Sequence, residues 1–271
     1  MEMLNNKKMS ICVNLPYYDD EMKRYIIPKD FLGALDINDL SKLSHSGKRA
    51  SVFSCNSACG RCAVRMRILD SNDKNSILQI KQNWTELVAL NRRFPDIVAL
   101  PVKSCVLPYG DEAIGVDVSE WCTETFEAWA CRSSRTVGQI VQAVDTILEK
   151  FDLLNASGVF HRDSHGNNVM RRASGEWRII DWDEVILKNM RGHNFDSIIF
   201  LAFAVLVLQK AMLRHRTLFD AMDDLRCKKK YRFDYNAYHK CMGDNGYMAS
   251  FYKNKIRLAD AAMSKLDRHW Q

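Results

Sequence analysis

Strand-like alternation of apolar and polar residues marks the chain from about Leu40 to Val118, and helical spacing takes over after Glu120. The segments ASVFSC (50–55) and CAVRMRIL (62–69) flank the turn formers Asn56, Ser57 and Gly60 and read as a β-hairpin. Between Ile77 and Arg93, Trp84, Leu87, Val88 and Leu90 recur at the spacing of a helix. Pro95 and Pro101 bound IVAL, and CVLPY (105–109) and AIGVDV (113–118) read as two further strands. Val137–Leu154 places Ile140, Val144, Ile147, Leu148 and Phe151 on one helical face and ends near Gly158. The unbroken apolar run Ile198–Leu208 is shorter than the ~20 residues a spanning helix needs, so a buried core helix is expected over Ser197–Leu213. Pro16 and Pro28 interrupt residues 1–35, which predicts an irregular extension packed on the rest. The fold class that follows is α+β, a β-rich first part with one helix followed by a helical second part.

Composition narrows the class of protein. The 271 residues, 47% hydrophobic and 27% charged with 12 Gly and 5 Pro, suit one large or two small globular domains and exclude collagen, a coiled-coil rod and a disordered chain. A net charge of +6 favours an anionic ligand but is too small to specify nucleic acid. Charges interrupt every apolar stretch of the first 30 residues, so no secretory signal is expected. Together with an odd count of nine cysteines, this predicts an intracellular protein with free thiols, in cytoplasm or nucleus. Cys55, Cys59 and Cys62 in CNSACGRC have a spacing that an iron–sulfur cluster could use. Arg61 stands where the radical S-adenosylmethionine enzymes usually carry an aromatic residue, and no fourth ligand for zinc is evident. The turn formers among them favour cysteines in and beside a β-turn.

The chemistry lies in GVFHRDSHGNNVMRRASGEWRIIDWDEV, residues 158–185. Short β-prone pieces before His161, after Asn168 and before Asp181 are joined by turns at Gly166–Asn168 and Ala173–Gly175. Two hairpin strands would gather Asp163, Asn168 and Asp181 at one loop edge. Two carboxylates and a carboxamide are hard oxygen donors suited to Mg²⁺ carrying a polyphosphate. A carboxylate left off the metal can accept a proton from an attacking hydroxyl.

His161-Arg162-Asp163, with Asn168 five residues and Asp181 eighteen residues past Asp163, resembles the catalytic and metal-binding loops of the protein kinase superfamily. The resemblance covers about residues 40–210 and implies a bilobal fold. An N-terminal extension (1–35) would precede a β-rich N-lobe with one regulatory helix (36–118) and a reduced, mainly helical C-lobe (119–271). It implies ATP and Mg²⁺ as cofactors, Asp163 as catalytic base, Asn168 and Asp181 as metal ligands, and Asp196 as the residue anchoring the catalytic loop. Glu86, on the helix before Pro95, would pair with the phosphate-binding cation. Backbone groups from Asp117 through Val118 to Glu120 would meet adenine, with Val52 and Ala63 among the nucleotide-binding residues.

Departures from the family pattern shape the expectation. The V-A-I-K strand reads Cys62-Ala63-Val64-Arg65, which puts Arg65 in the place of the lysine, with Arg67 on the same face as a rival. The phosphate-covering loop HSGKRASV has one glycine, Gly47, and Lys48 or Arg49 could supply charge there. The metal loop reads Asp181-Trp182-Asp183, with no room before Phe195 for an activation segment and no A-P-E. His165 stands where common serine/threonine kinases carry Lys, as in the aminoglycoside and choline phosphotransferases and in haspin-like kinases. Arg162 favours the protein-kinase side. The basic run CKKKYRF (227–233) weakly favours an acidic protein, nucleic acid or membrane surface over a cationic small molecule. The expectation is thus a divergent minimal serine/threonine protein kinase acting on a protein hydroxyl. A small-molecule kinase and a nucleotide-binding pseudokinase scaffold stand as alternatives.

Overall fold

The hairpin expected around Gly60 forms, and it is the middle of a larger sheet. Strand β4 (Ser51–Ser57) pairs antiparallel with β5 (Gly60–Asp70), Cys55 opposite Cys62 and Phe53 opposite Val64. Beside them lie β3 (Ile37–Ser46), β6 (Pro101–Tyr109) and β7 (Glu112–Glu120), in the order β3-β4-β5-β7-β6, all antiparallel. This computed structural model describes residues 17–19, 24–26, 33, 37–46, 51–57, 60–70, 74–109, 112–183, 186–187, 193–211, 216–242 and 246–265. Within the expected extension, β1 (Tyr17–Asp19) and β2 (Arg24–Ile26) pair as a short ladder, so that segment is not wholly irregular.

One sheet face is apolar. Phe53, Cys55, Cys62, Val64, Ile114, Val116 and Val118 form a buried cluster, which strict alternation along β4, β5 and β7 puts on a single side. The other side carries Val52, Ala63, Arg65, Arg67 and Asp117 by the same alternation. Helix α1 (Lys74–Arg93) packs on β5 and β6 and stops before Pro95, which cannot continue it. Asn91, nearly buried, donates from Nδ2 to the Val98 carbonyl (2.9 Å) and ties the helix end to the turn that follows.

The chain divides into two compact units, Met1–Trp121 and Cys122–Gln271, and the expected boundary at 118/119 falls inside β7. In the second unit, β8 (Glu124–Thr125) leads into the short helix α2 (Phe126–Ala130). Helix α3 (Val137–Ala156) starts at a capping box: Thr136 Oγ1 accepts from Gln139 N (3.2 Å), and Gln139 Oε1 accepts from Thr136 N (3.0 Å). Its face of Ile140, Val144, Ile147, Leu148 and Phe151, each 0% exposed, is the face the periodicity predicts. Then come β9 (Val159–Phe160), the hairpin β10 (Val169–Arg171) and β11 (Trp177–Ile179), and β12 (Ile186–Leu187), which pairs with β9. Strand β10 is flanked by β11 and β8.

The apolar run becomes α4 (Phe195–Ala211), buried from Phe195 to Ala202 and packed on α3. Helices α5 (Arg216–Lys228), α6 (Tyr235–Met242) and α7 (Gly246–Lys265) complete the unit, with α7 lying along α4. The architecture is α+β. Among the described residues no helix is long and apolar enough to cross a membrane.

Within the basic run at 227–233, Lys228, Lys230 and Arg232 are exposed, while Lys229 turns onto α3. Lys229 Nζ lies 3.2 Å from Asp145 and 3.9 Å from both Glu149 and Asp152, and Tyr231 donates to Asp152 (2.8 Å). Three carboxylates along α3 thus draw this lysine onto the helix.

The capping box yields a direct expectation. Thr136→Ala removes one of its two bonds and costs about 1 kcal/mol, seen as a lower urea midpoint with unchanged slope.

Candidate active site

Every side-chain acceptor of one buried group is used to hold the segment from His161 to Ser164. Asp196, in the first turn of α4, is 0% exposed. Its Oδ2 accepts from His161 N (2.8 Å) and Asn155 Nδ2 (2.7 Å), and its Oδ1 accepts from Arg162 N (3.0 Å). Asn155 Oδ1 accepts in return from Asp196 N (3.1 Å), and Ser164 Oγ donates to the Asp196 carbonyl (2.9 Å). A buried carboxylate is tolerated only when its oxygens are met in this way. Held by two of these bonds, Arg162 adopts φ 71°, a left-handed conformation rare for residues other than Gly, Asn and Asp.

His161, itself 0% exposed, joins this loop to the next. Its Nδ1 accepts from Asp163 N (3.3 Å), so the ring proton is on Nε2, which donates to the Ile180 carbonyl (2.8 Å). The ring packs edge-on against Trp182 (centroids 4.7 Å apart), and Trp182 Nε1 donates to Ile179 O (3.0 Å).

The hairpin β10–β11 brings the chemistry together. Ile180 N donates to Asn168 O (2.9 Å), so Asp181 follows directly on the residue bonded to Asn168. Asn168 Nδ2 donates to the Asp163 carbonyl (2.8 Å) and to its Oδ2 (3.1 Å). The carboxamide oxygen is the ligand atom that remains. Asp181 is exposed with φ 62°.

Asp163 has a third and a fourth neighbour. His165 Nε2 lies 3.5 Å from Oδ2, and the Tyr252 hydroxyl donates to Oδ1 (2.9 Å). His165 Nδ1 accepts from Asn167 N (3.2 Å), which keeps its proton on the nitrogen facing the carboxylate. Burial pushes the Asp163 carboxyl up, but the bond and charge of His165, the Tyr252 hydroxyl and the His161 ring outweigh it and hold it at about 2. At neutral pH the group is a carboxylate.

Asn168 and Asp181 suit Mg²⁺, which typically takes one or two protein oxygens and fills the rest of its octahedron with phosphate and water. Among the described residues no three His, Cys, Asp or Glu side chains gather as a metal cluster.

The first unit contributes a different picture. Arg65, Ala63 and Val52 lie on the sheet face opposite the apolar cluster, Val52 in register with Arg65. Arg67 forms an ion pair with Asp117, whose other oxygen accepts from Ser104 Oγ (2.8 Å). Glu86 accepts from Gln82 on the preceding turn of α1 (3.3 Å), and this is the bond found for it rather than one to Arg65. Gly47 and Lys48 lie outside the described residues.

The segment expected to meet adenine, Asp117–Glu120, forms the end of β7. Asp117, Val118 and Ser119 are in register with β5 on one side and β6 on the other, while Glu120 N donates to Leu100 O (2.9 Å). Their backbone groups are taken up within the sheet, and Val118 is buried on its apolar face. Chain free of these ladders begins at Trp121.

Cys55 and Cys62 sit opposite each other beside the turn, both buried and neither in a disulfide; Cys59 lies outside the described residues.

Two residues at the site were not anticipated. Asn155 left a readable signal, a polar residue four positions after Phe151 on an otherwise apolar helical face. Tyr252 left none, being one of several aromatic residues in the C-terminal segment.

Compared with known proteins, the chain matches no family model and no curated protein.

Two outcomes follow from this geometry. His165→Gln raises the Asp163 titration midpoint toward the ordinary 3.8, and Tyr252→Phe raises it by less, read by carboxyl ¹³C NMR. Because the folded value lies below the unfolded one, ionised Asp163 adds stability above about 3.8 that is lost as pH falls through about 2. Both variants narrow that window, and a midpoint that stays put in either would remove the corresponding bond. Separately, Asp196→Ala leaves buried donors unmet and costs about 3–5 kcal/mol in denaturant unfolding.

Proposed function

We propose that the chain is an ATP-dependent phosphotransferase, a divergent minimal serine/threonine protein kinase with a bilobal kinase-like fold. The observation that carries this reading is the Asp163 carboxylate. It is ionised, one-third exposed, and set by the Asp196 clamp beside the amide of Asn168, a residue whose backbone carbonyl takes the Ile180 N–H one position before Asp181. A chance hairpin has no need to assemble a base, an orienting amide and a second carboxylate around one buried anchor. The strand order β3-β4-β5-β7-β6, with α1 between β5 and β6 in sequence, supports the same reading.

In this mechanism Asp163 accepts a hydrogen bond from the hydroxyl of the substrate and aims its oxygen at the γ-phosphorus. The new P–O bond forms as the bond to ADP breaks, and the hydroxyl proton passes to Asp163. A carboxylate as weakly basic as this one takes the proton late, so its earlier contribution is orientation. Asn168 and Asp181 would hold Mg²⁺ together with ATP, and the ion would supply neutralising charge to the phosphate oxygens. His165 adds a donor next to the same carboxylate. Arg65, which stands in the place of the family's lysine and lies on the sheet face opposite the apolar cluster, is the cation offered to the phosphates. A protein hydroxyl is the acceptor that Arg162 favours, and the inward-facing Lys229 withdraws part of the support that the basic run lent to it.

One observation favours a second reading. Tyr252 fills the Oδ1 position that an acceptor hydroxyl would use, as expected of a pseudokinase that holds nucleotide without transferring phosphate.

Incubation with γ-labelled ATP, Mg²⁺ and a panel of protein acceptors separates the two. Asp163→Asn is expected to lower label transfer by about 10²–10⁴-fold, and equal transfer by both proteins would remove the base assignment. A thermal shift with ATP that requires Mg²⁺, without any label transfer, would select the second reading. Arg65→Ala is expected to weaken ATP use more than Arg67→Ala, and the reverse order would overturn the choice of cation.

A further inference from the structure

The turn end of the β10–β11 hairpin, away from Asn168 and Asp181, borders a cavity of about 420 Å³ between α2, α3 and the hairpin. Its walls include Trp129, Trp177, Arg135, Arg171, Lys150 and Glu176. The Arg135 guanidinium lies over the Trp129 ring (4.7 Å to the centroid). Its Nε is buried with no acceptor, and among the described residues the side chain makes no hydrogen bond or ion pair. Trp129 Nε1, on a side chain 5% exposed, is a second buried donor with no partner. Arg171 lies beside the Trp129–Trp177 pair (5.8 and 5.9 Å to the ring centroids), with Nε donating to Gly175 O (3.1 Å) and Nη1 3.9 Å from Glu124. The one carboxylate in the wall, Glu176, accepts from the Ser174 hydroxyl.

A half-buried guanidinium without an acceptor is costly unless something external supplies one. Stacking on indole uses the flat face of the group and leaves its N–H edge for planar, two-point contact. Two such forks with an ammonium offer more donors than the two oxygens of a carboxylate can accept, and they match the three terminal oxygens of a phosphate monoester.

We propose that this cavity binds a phosphate monoester, gripped edge-on by Arg135 and Arg171 with Lys150 adding charge. The rings beneath Arg135 hold it in place before the ligand arrives, so little side-chain freedom is lost on binding. The site is independent of the phosphotransferase reading, sharing with it only the hairpin strands. Its ligand is either a small phosphate ester or a phosphorylated residue of a protein, since both present the same group.

Titration of the full chain, followed by tryptophan fluorescence and calorimetry, tests it with three probes: inorganic phosphate, a phosphoserine peptide and the same peptide unphosphorylated. Both phosphate probes are expected to bind and the unphosphorylated peptide is not. Affinity that rises from phosphate to phosphopeptide identifies a protein ligand, and equal affinity identifies a small ester. Arg135→Gln and Arg171→Gln each weaken binding by about tenfold or more, and Arg135→Lys falls between. Melting temperatures of the variants, compared with wild type, show that the loss is not one of folding. No binding of either phosphate probe at about 10 mM, or equal binding by wild type and the folded Arg135→Gln protein, would overturn the proposal.

Discussion

A carboxylate with no exposed surface must be given donors or it cannot stay charged, and Asp196 is given three. Two are backbone amides of consecutive residues, so the position of the loop is set by the helix that carries the acid. Asn155 closes the circuit by bonding the same carboxylate and the Val159 carbonyl, which fixes the exit of α3 relative to the entry of α4. Everything placed at Asp163 is held by this arrangement of two helices and one loop. It also explains why polar groups as buried as His161, Ser164 and Asn155 occur together in a core otherwise made of Phe151, Phe160 and Phe200.

The parts of the fold that were readable were those in which a single periodicity decided burial. The apolar stripe of α3 and the run in α4 fall where the pattern puts them, and so does the Cys55–Cys62 hairpin. Strand β3 was readable only in part: the strand-like stretch was placed from about Leu40, whereas β3 starts at Ile37, and INDLSKLSHS has serines and charges where a clear alternation would need apolar residues. Local sequence does not say where a strand loses its neighbours, and β7 keeps both of them through Ser119.

The candidate site divides along the same line. Asp163 and Asn168 are close in sequence, and turn chemistry alone predicts their meeting. Tyr252 is 89 residues from Asp163, and its arrival depends on α7 packing along α4, a tertiary event with no local signature. Charge runs are equally ambiguous. Lys229 reads as surface until Asp145, Glu149 and Asp152 are found lined up across from it.

The left-handed backbone at Arg162 carries a consequence for the side chain it bears. An L-residue there gives up roughly 1–2 kcal/mol relative to glycine, and the two amide bonds to Asp196 would form with any residue that has an N–H. Backbone considerations alone would therefore put glycine at 162. A guanidinium at this place is retained against its own conformational cost, which makes the head group, rather than the bend beneath it, the reason for arginine.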